Sequence, residues 1–192
     1  MKQTRFVVQV GTFTDTEYIW VTEKGASIPA KYQLPHIRAI DEAWEYYGVD
    51  RERWCVERLS KRHADNPNAY FMCATIGSIA GDICVSLTDI ISPIEGSFEA
   101  LIIDTENCEH SILQSYDWQR KPKCIVLEIH TLESQHAILQ LLVSLGYCLL
   151  RLRPTNAGFT REAIYIHEDS FDLTSERWHG AGLGYIPKRI DP

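Results

Sequence analysis

The chain has 192 residues, of which 45% are hydrophobic and 23% are charged, a balance typical of one globular domain with a full core. The net charge of −7 and the scattered basic residues disfavour nucleic acid as a partner. No apolar run approaches the roughly 18 residues that a membrane span needs. The six cysteines form no C-x-x-C pair, which indicates free thiols. We therefore expect a single cytoplasmic domain over residues 1–192, without membrane association.

The first predicted strand, residues 6–10, ends at Gly11. Thr12, Phe13 and Asp15 follow it, and hydroxyl and carboxylate side chains are common at helix N-termini. Backbone amides at such a strand-turn-helix junction can bind a ligand carboxylate or phosphate. A G-x-G-x-x-G pattern is absent, so a simple tight turn and a ligand-binding turn remain alternatives.

An insertion is predicted at about residues 25–50. Glycine and proline residues interrupt the pattern in residues 25–35, which predicts a loop. The apolar spacing of residues 36–47 then predicts a helix that ends at Gly48.

The second strand of the sheet is predicted at residues 54–57, so that Glu57 lies at its end. Nucleotide-binding sheets place an acid there to hydrogen-bond the ribose hydroxyls. A surface ion pair with Arg58 or Arg62 is the alternative for this carboxylate.

The remaining elements alternate between strands and helices. Strands are predicted at residues 70–74, 83–85, 100–103, 124–129, 147–152 and 163–167, and helical segments at residues 59–64, 86–91, 108–114 and 133–145, before an irregular tail at about 170–192. This alternation predicts an α/β fold with a doubly wound, Rossmann-like and mostly parallel sheet, closed by an antiparallel C-terminal hairpin. Such a layout is that of a class I methyltransferase, although other Rossmann-like folds share it.

Two carboxylates follow the apolar run of residues 101–103. Asp104 and Glu106 are alternate residues there, so both can face the same side of a crevice. Paired carboxylates can hold a divalent metal, or one of them can have its pKa raised and act as a base on a hydroxyl. A helix cap is the alternative for Asp104.

Glu128 and His130 belong to the next strand along the chain. Glu128 lies within an apolar run, where an unpaired charge is costly, so it needs a partner or an opening to water. His130 can serve as a base or as a ligand, or it can simply be hydrogen-bonded at the strand end. We take Asp104, Glu106, Glu128 and His130 as the candidate catalytic residues.

These segments, in order, resemble the FkbM-type S-adenosylmethionine-dependent methyltransferases over roughly residues 6–152. The resemblance rests on the first strand with its glycine at residues 7–11, on the Asp-x-Glu that ends residues 101–106, and on Leu-Glu in residues 125–130. It implies a class I methyltransferase fold, S-adenosylmethionine as cofactor, and cofactor contacts at Gly11, Thr12, Phe13, Asp15 and Glu57. It implies no metal, although the carboxylates are compatible with a divalent ion.

The resemblance implies methyl transfer, with O-methylation of a small-molecule, sugar or natural-product acceptor as our expectation. The family usually has a small residue, an asparagine and a further glycine after the first glycine, where this chain has Thr12, Phe13, Thr14 and Asp15. The alternative is therefore a cofactor-free relative that acts as a binding or assembly subunit or has different chemistry. A homodimer is compatible with the sequence, which contains no motif that decides the oligomeric state.

Overall fold

The computed structural model describes residues 4–12, 44–77, 84–154 and 160–170. Its strands are β1 (Arg5–Val10), β2 (Trp44–Asp50), β3 (Ala69–Cys73), β4 (Thr75–Ile76), β5 (Cys84–Val85), β6 (Ser97–Ile103), β7 (Cys124–Ile129), β8 (Tyr147–Pro154) and β9 (Arg161–His167). Its helices are α1 (Arg53–Arg62), α2 (Leu87–Ile91), α3 (Glu109–Ser115) and α4 (Leu132–Ser144).

Seven of the strands form one sheet in the order β3-β2-β1-β6-β7-β9-β8. The neighbours from β3 to β7 pair in parallel, whereas β9 pairs antiparallel with both β7 and β8. The chain thus winds outward in both directions from the junction of β1 and β6. The doubly wound sheet and the C-terminal hairpin are confirmed, with the refinement that β9 lies inside the sheet and β8 forms its edge.

The two faces of the sheet have separate cores, because successive side chains of a strand point to opposite sides. Helices α2, α3 and α4 pack on the first face, where buried side chains such as Ile90, Leu113 and Leu142 share one core with Leu101 and Ile125 of the strands. The second core consists of strand residues, namely Val7, Tyr46, Ala100, Ile102, Cys124, Val126, Ile164 and Ile166. Burial on both faces explains why β6 and β7 are continuous apolar runs.

Local sequence signals account for the helices that follow the central strands. Thr131 caps α4 by accepting a hydrogen bond from the Ser134 amide, and the apolar positions Ile138 and Leu142 are fully buried. Ser86 caps α2 in the same way through the Asp89 amide. These helices begin where the sequence analysis placed them, to within a residue or two.

The second strand was predicted wrongly. Residues 54–57 belong to helix α1, and β2 is formed instead by Trp44–Asp50, which the sequence analysis assigned to the end of an inserted helix and to the residues after it. Parallel pairing of β2 with both β1 and β3 buries Tyr46 and Val49, which explains the apolar residues in this segment. The rest of the predicted insertion, residues 25–43, and most of the predicted tail lie outside the described residues.

All six cysteines are free, as expected from their spacing. None of the helices in the described ranges has both the length and the hydropathy needed to cross a bilayer.

Candidate functional site

The carboxyl ends of four strands, β3, β2, β1 and β6, meet at one edge of the sheet. Backbone hydrogen bonds extend the pairing just beyond the strands: the Gly11 amide donates to Val49 O at 2.9 Å and the Asp104 amide donates to Val10 O at 3.0 Å. The Ala74 amide likewise donates to the backbone oxygen of Asp50 at 2.9 Å. Ligands of open α/β sheets bind at this edge, close to the point where the strand order reverses.

Gly11 allows β1 and β6 to approach each other at this edge. Its φ of +79° lies in the left-handed region, which side-chain-bearing residues rarely adopt. An ideal Cβ atom at this position would lie 1.6 Å from the backbone oxygen of Asp104. The glycine found in the sequence is therefore required by the packing of the site.

A cavity of about 520 Å³ opens between these strand ends. Its lining comprises Val10 and Gly11, residues 49–52, Trp54, residues 74–76, residues 104–106 and Cys108. This volume is within the roughly 300–1,000 Å³ range of small-molecule sites. The cavity thus has the size and the place in the fold of a ligand site.

Asp50 supplies the acid at the end of β2. Its Oδ1 accepts a hydrogen bond from the Glu52 amide at 2.8 Å, and its Oδ2 accepts one from the Thr12 hydroxyl at 3.4 Å. Both Asp50 and Thr12 are buried, and Asp50 lines the cavity. Asp50 was not predicted as a site residue, because the apolar spacing of residues 36–47 indicated a helix instead of β2.

Glu57 was predicted to lie at the end of a strand, and this prediction is wrong. Glu57 lies in the middle of α1 with an exposed side chain, and it is absent from the cavity lining. Asp50 occupies the place in the fold that was expected for Glu57. Of the other predicted cofactor contacts, Gly11 lines the cavity, whereas Phe13 and Asp15 lie outside the described residues.

Asp104 and Glu128 form a hydrogen-bonded pair of carboxyl groups, which are brought together because β6 and β7 are neighbours. Burial, followed by the charge of Glu128, raises the pKa of Asp104 to about 7. Glu128 also accepts a hydrogen bond from the Thr160 hydroxyl. With a pKa near neutrality, the Asp104 carboxyl group can gain or lose a proton at the site.

A tight loop connects Asp104 to α3. Glu106 and Asn107 have φ values of 53° and 81°, so two consecutive residues without the freedom of glycine are left-handed. Glu109, which is fully buried, holds this loop: its Oε1 accepts the amides of Thr105 and Asn107, each at 3.2 Å. Glu109 is a site residue that the sequence analysis did not include.

His130 lies between two of these carboxylates. Its Nδ1 is 3.1 Å from Oε1 of Glu109, and its Nε2 is 3.3 Å from Oε2 of Glu106. The imidazole is only 9% exposed, whereas the Glu106 side chain is 86% exposed. Asp104, Glu106 and His130 can each bring one ligand atom within 4.8 Å of the others, so this group is the candidate for holding a metal ion among the described residues.

All four residues predicted to be catalytic therefore lie at one edge of the sheet. Asp104 contacts Glu128, and His130 contacts Glu106, while the electrostatic influence of both His130 and Glu106 reaches Asp104. Asp104 and Glu106 also line the cavity, which connects the cluster to the Gly11 and Asp50 side of the site.

Comparison with known proteins identifies the family to which this arrangement is similar. Residues 59–149 match the model of the methyltransferase FkbM domain. The matched segment includes β6, β7 and the four predicted catalytic residues. No match was found among the curated proteins.

Solved structures with a similar fold include several methyltransferases. Fibrillarin from Aeropyrum pernix, in complex with S-adenosyl-L-methionine, has a TM-score of 0.59 at 9% identity, covering 86% of this chain and 67% of its own. Precorrin-6y C5,15-methyltransferase from Geobacter metallireducens has a TM-score of 0.51 at 10% identity, with coverages of 86% and 81%. A putative rRNA-methylase from Clostridium thermocellum has a TM-score of 0.53 at 8% identity, covering 85% of this chain and 88% of its own.

Identities this low establish the fold alone, and the family match covers just under half of the chain. The two findings agree with each other and with the sheet order described above. Together they support an S-adenosylmethionine-dependent methyltransferase. The resemblance to the FkbM-type methyltransferases is confirmed over residues 59–149, and the chain has the fold of the Rossmann-like methyltransferases.

Proposed function

We propose that the protein transfers a methyl group from S-adenosylmethionine to a hydroxyl group of a small molecule or sugar. The observation that carries this proposal is the convergence of Gly11, the buried carboxylate of Asp50 and the carboxyl group of Asp104 around one cavity, with Glu128 paired to Asp104 behind it. A cofactor pocket and a proton-accepting group are thereby adjacent at the edge where such folds bind ligands.

The residues on the Asp50 side of the cavity fit the cofactor. The Glu52 amide and the Thr12 hydroxyl fix the orientation of the Asp50 carboxylate, an acceptor group that suits the hydroxyl groups of a ribose. At Gly11 the absence of a side chain allows close approach to the backbone. When bound, S-adenosylmethionine supplies an activated methyl group on a sulfonium centre.

The residues on the Asp104 side have a different task. A hydroxyl acceptor must lose its proton, and the Asp104–Glu128 pair accepts that proton. A group with a pKa near the working pH is best suited to this role, and the pKa of Asp104 is raised to about 7. Most of the acceleration would come from alignment of the acceptor, to which the fixed loop of residues 104–107 contributes.

The charge of the site favours an uncharged, hydroxylated acceptor. Asp104, Glu106 and Glu128 place several carboxylates at the strand ends, and the whole chain has a net charge of −7. A phosphate backbone would be repelled by such a surface. Similar folds include enzymes named for a precorrin and for rRNA, so the choice of acceptor depends on these local charges and not on the fold.

Isothermal titration calorimetry with S-adenosylmethionine and S-adenosylhomocysteine tests the cofactor half of this proposal. We expect dissociation constants in the micromolar range for both. The acceptor half is tested by methyl transfer to a panel of sugars, phenols and RNA, with S-adenosylhomocysteine release as the readout. Absence of cofactor binding at millimolar concentration would reject the proposal and favour the cofactor-free alternative.

A further inference from the structure

We propose that Asp104, Glu106 and His130 form a binding site for one divalent cation. The existence of this site is independent of methyl transfer. Its function, to hold and polarise the acceptor hydroxyl beside the cofactor, rests on the function proposed above.

The first support is the geometry of the three side chains. They come from the end of β6, from the loop after it and from the residue after β7, and their ligand atoms all lie within 4.8 Å of one another. The Nε2 atom of His130 and Oε2 of Glu106 are only 3.3 Å apart. A metal ion at their common centre would need ligand distances of about 2.0–2.2 Å, so its binding would draw the three side chains closer together.

The second support is the buried surroundings of His130. The imidazole is nine-tenths buried, and its Nδ1 has no aligned hydrogen bond within the described ranges. Oε1 of the fully buried Glu109 lies 3.1 Å from this nitrogen. Carboxylates beside one ring nitrogen are common at histidine-metal sites, where the other ring nitrogen is the ligand. Here that other nitrogen is Nε2, which faces Glu106.

The charges around the cluster provide the third support. Glu109 lies beside His130 and Glu128 lies beside Asp104, so the cluster contains four carboxyl groups and a single imidazole. The negative charge of this group exceeds what His130 can compensate even when it is protonated. A divalent cation would remove the excess.

The donor set limits which cation fits. Two carboxylates with one imidazole suit first-row ions such as Mn²⁺ and Zn²⁺, and the remaining coordination positions stay open to water or to an acceptor oxygen. A coordinated hydroxyl loses its proton more readily. Glu128 is not one of the three ligands, so it remains available to accept that proton.

Mn²⁺ binding to the chelator-treated full chain tests the site without any need for the acceptor. Electron paramagnetic resonance and calorimetry should report one saturable Mn²⁺ site in the native protein, displaced by Zn²⁺. His130→Ala and Glu106→Gln should each weaken this site at least tenfold. Glu57→Gln is the matched control, because it removes one exposed carboxylate from α1, and it should leave the affinity unchanged. Circular dichroism of each variant checks the fold.

Lack of saturable Mn²⁺ and Zn²⁺ binding below about 1 mM by the native protein would overturn the proposal. Equal affinity of native protein and a folded His130→Ala variant would overturn it as well. Cofactor calorimetry in the presence of chelator separates the two proposals. If S-adenosylmethionine binds in the presence of chelator and no cation site is found, the cation proposal alone fails. If one Mn²⁺ binds and the cofactor does not, the proposed function alone fails.

Discussion

The backbone oxygen of Asp104 occupies the space that a side chain on Gly11 would need. An ideal Cβ atom at residue 11 would be 1.6 Å from that oxygen, while the Asp104 amide donates a hydrogen bond to Val10. The glycine of the first turn and the first acid after β6 are therefore one packing unit. Changes at either residue should affect both the cofactor side and the acceptor side of the cavity.

We expect Gly11→Ala to lower the free energy of unfolding by more than about 2 kcal/mol, because left-handed strain alone costs roughly 1–2 kcal/mol and the clash adds to it. Gly77→Ala is the control: φ there is +113°, but the nearest atom to an added Cβ is 3.8 Å away. The control should show the backbone strain without the clash. Urea denaturation of both variants measures the difference, and equal losses would contradict this account.

Asp50→Asn should weaken the binding of S-adenosylmethionine by about 1.5–3 kcal/mol, because charged hydrogen bonds to the ribose are lost. Glu57→Gln should leave the affinity unchanged, because that side chain is exposed on α1 and outside the cavity lining. Calorimetry on the two variants compares the acid found at the end of β2 with the acid expected there from the sequence. Weaker binding by Glu57→Gln, with native affinity for Asp50→Asn, would instead identify Glu57 as the cofactor contact.

Asp104→Asn and Glu128→Gln should abolish methyl transfer while the fold is kept, because both carboxyl groups act at the strand ends and not in the apolar core. Activity is measured on whichever acceptor the panel identifies, and circular dichroism checks the fold. Native turnover by either variant would show that the proposed proton acceptor is wrong.

Asp104→Asn should also stabilise the protein when no metal is present. The pKa of Asp104 is raised to about 7, so below that pH the native carboxyl keeps its proton, and stability is lost as the pH rises towards and through 7. At pH 8 in chelator, the amide should raise the melting temperature by roughly 2–4 °C, equivalent to about 1 kcal/mol for a domain of this size. Asp65→Asn, at an exposed turn, is the control and should have no effect.

Asn107→Gly should retain or slightly increase stability, whereas Asn107→Ala should reduce it by about 1 kcal/mol or more. Residue 107 has a φ of 81°, which glycine adopts freely, asparagine tolerates and alanine resists. Thermal melts of the two variants give the comparison. Equal stability of both variants would show that the loop relaxes away from this conformation.

The sequence predicted much of the fold because the long apolar runs are unambiguous. Strands β1, β6 and β7, helix α4 and the β8–β9 hairpin all agree with their predicted positions. The failure at β2 has a physical cause: short apolar segments have no reliable periodicity, and residues 54–57 satisfy a strand pattern as well as they satisfy one turn of α1. Only the parallel pairing of β2 between β1 and β3 distinguishes these alternatives.

Some residues of the site were predicted from the sequence, and others were missed. Asp104, Glu106, Glu128 and His130 were found because they follow long buried strands. Asp50 was missed with the strand that it ends. Glu109 was missed because its complete burial depends on the loop of residues 104–107 and on His130, and such tertiary surroundings leave no local pattern in the sequence.

The position of β9 has a consequence for synthesis on the ribosome. Among the described strands, β8 pairs with β9 alone, and β9 is the strand that joins β8 to β7. A nascent chain that has emerged only through β8 therefore exposes the open hydrogen-bonding edge of β7 and a β8 segment without its neighbour. Unpaired edges of this kind promote aggregation, so the interval before residues 161–167 emerge is when a growing chain would most need a chaperone.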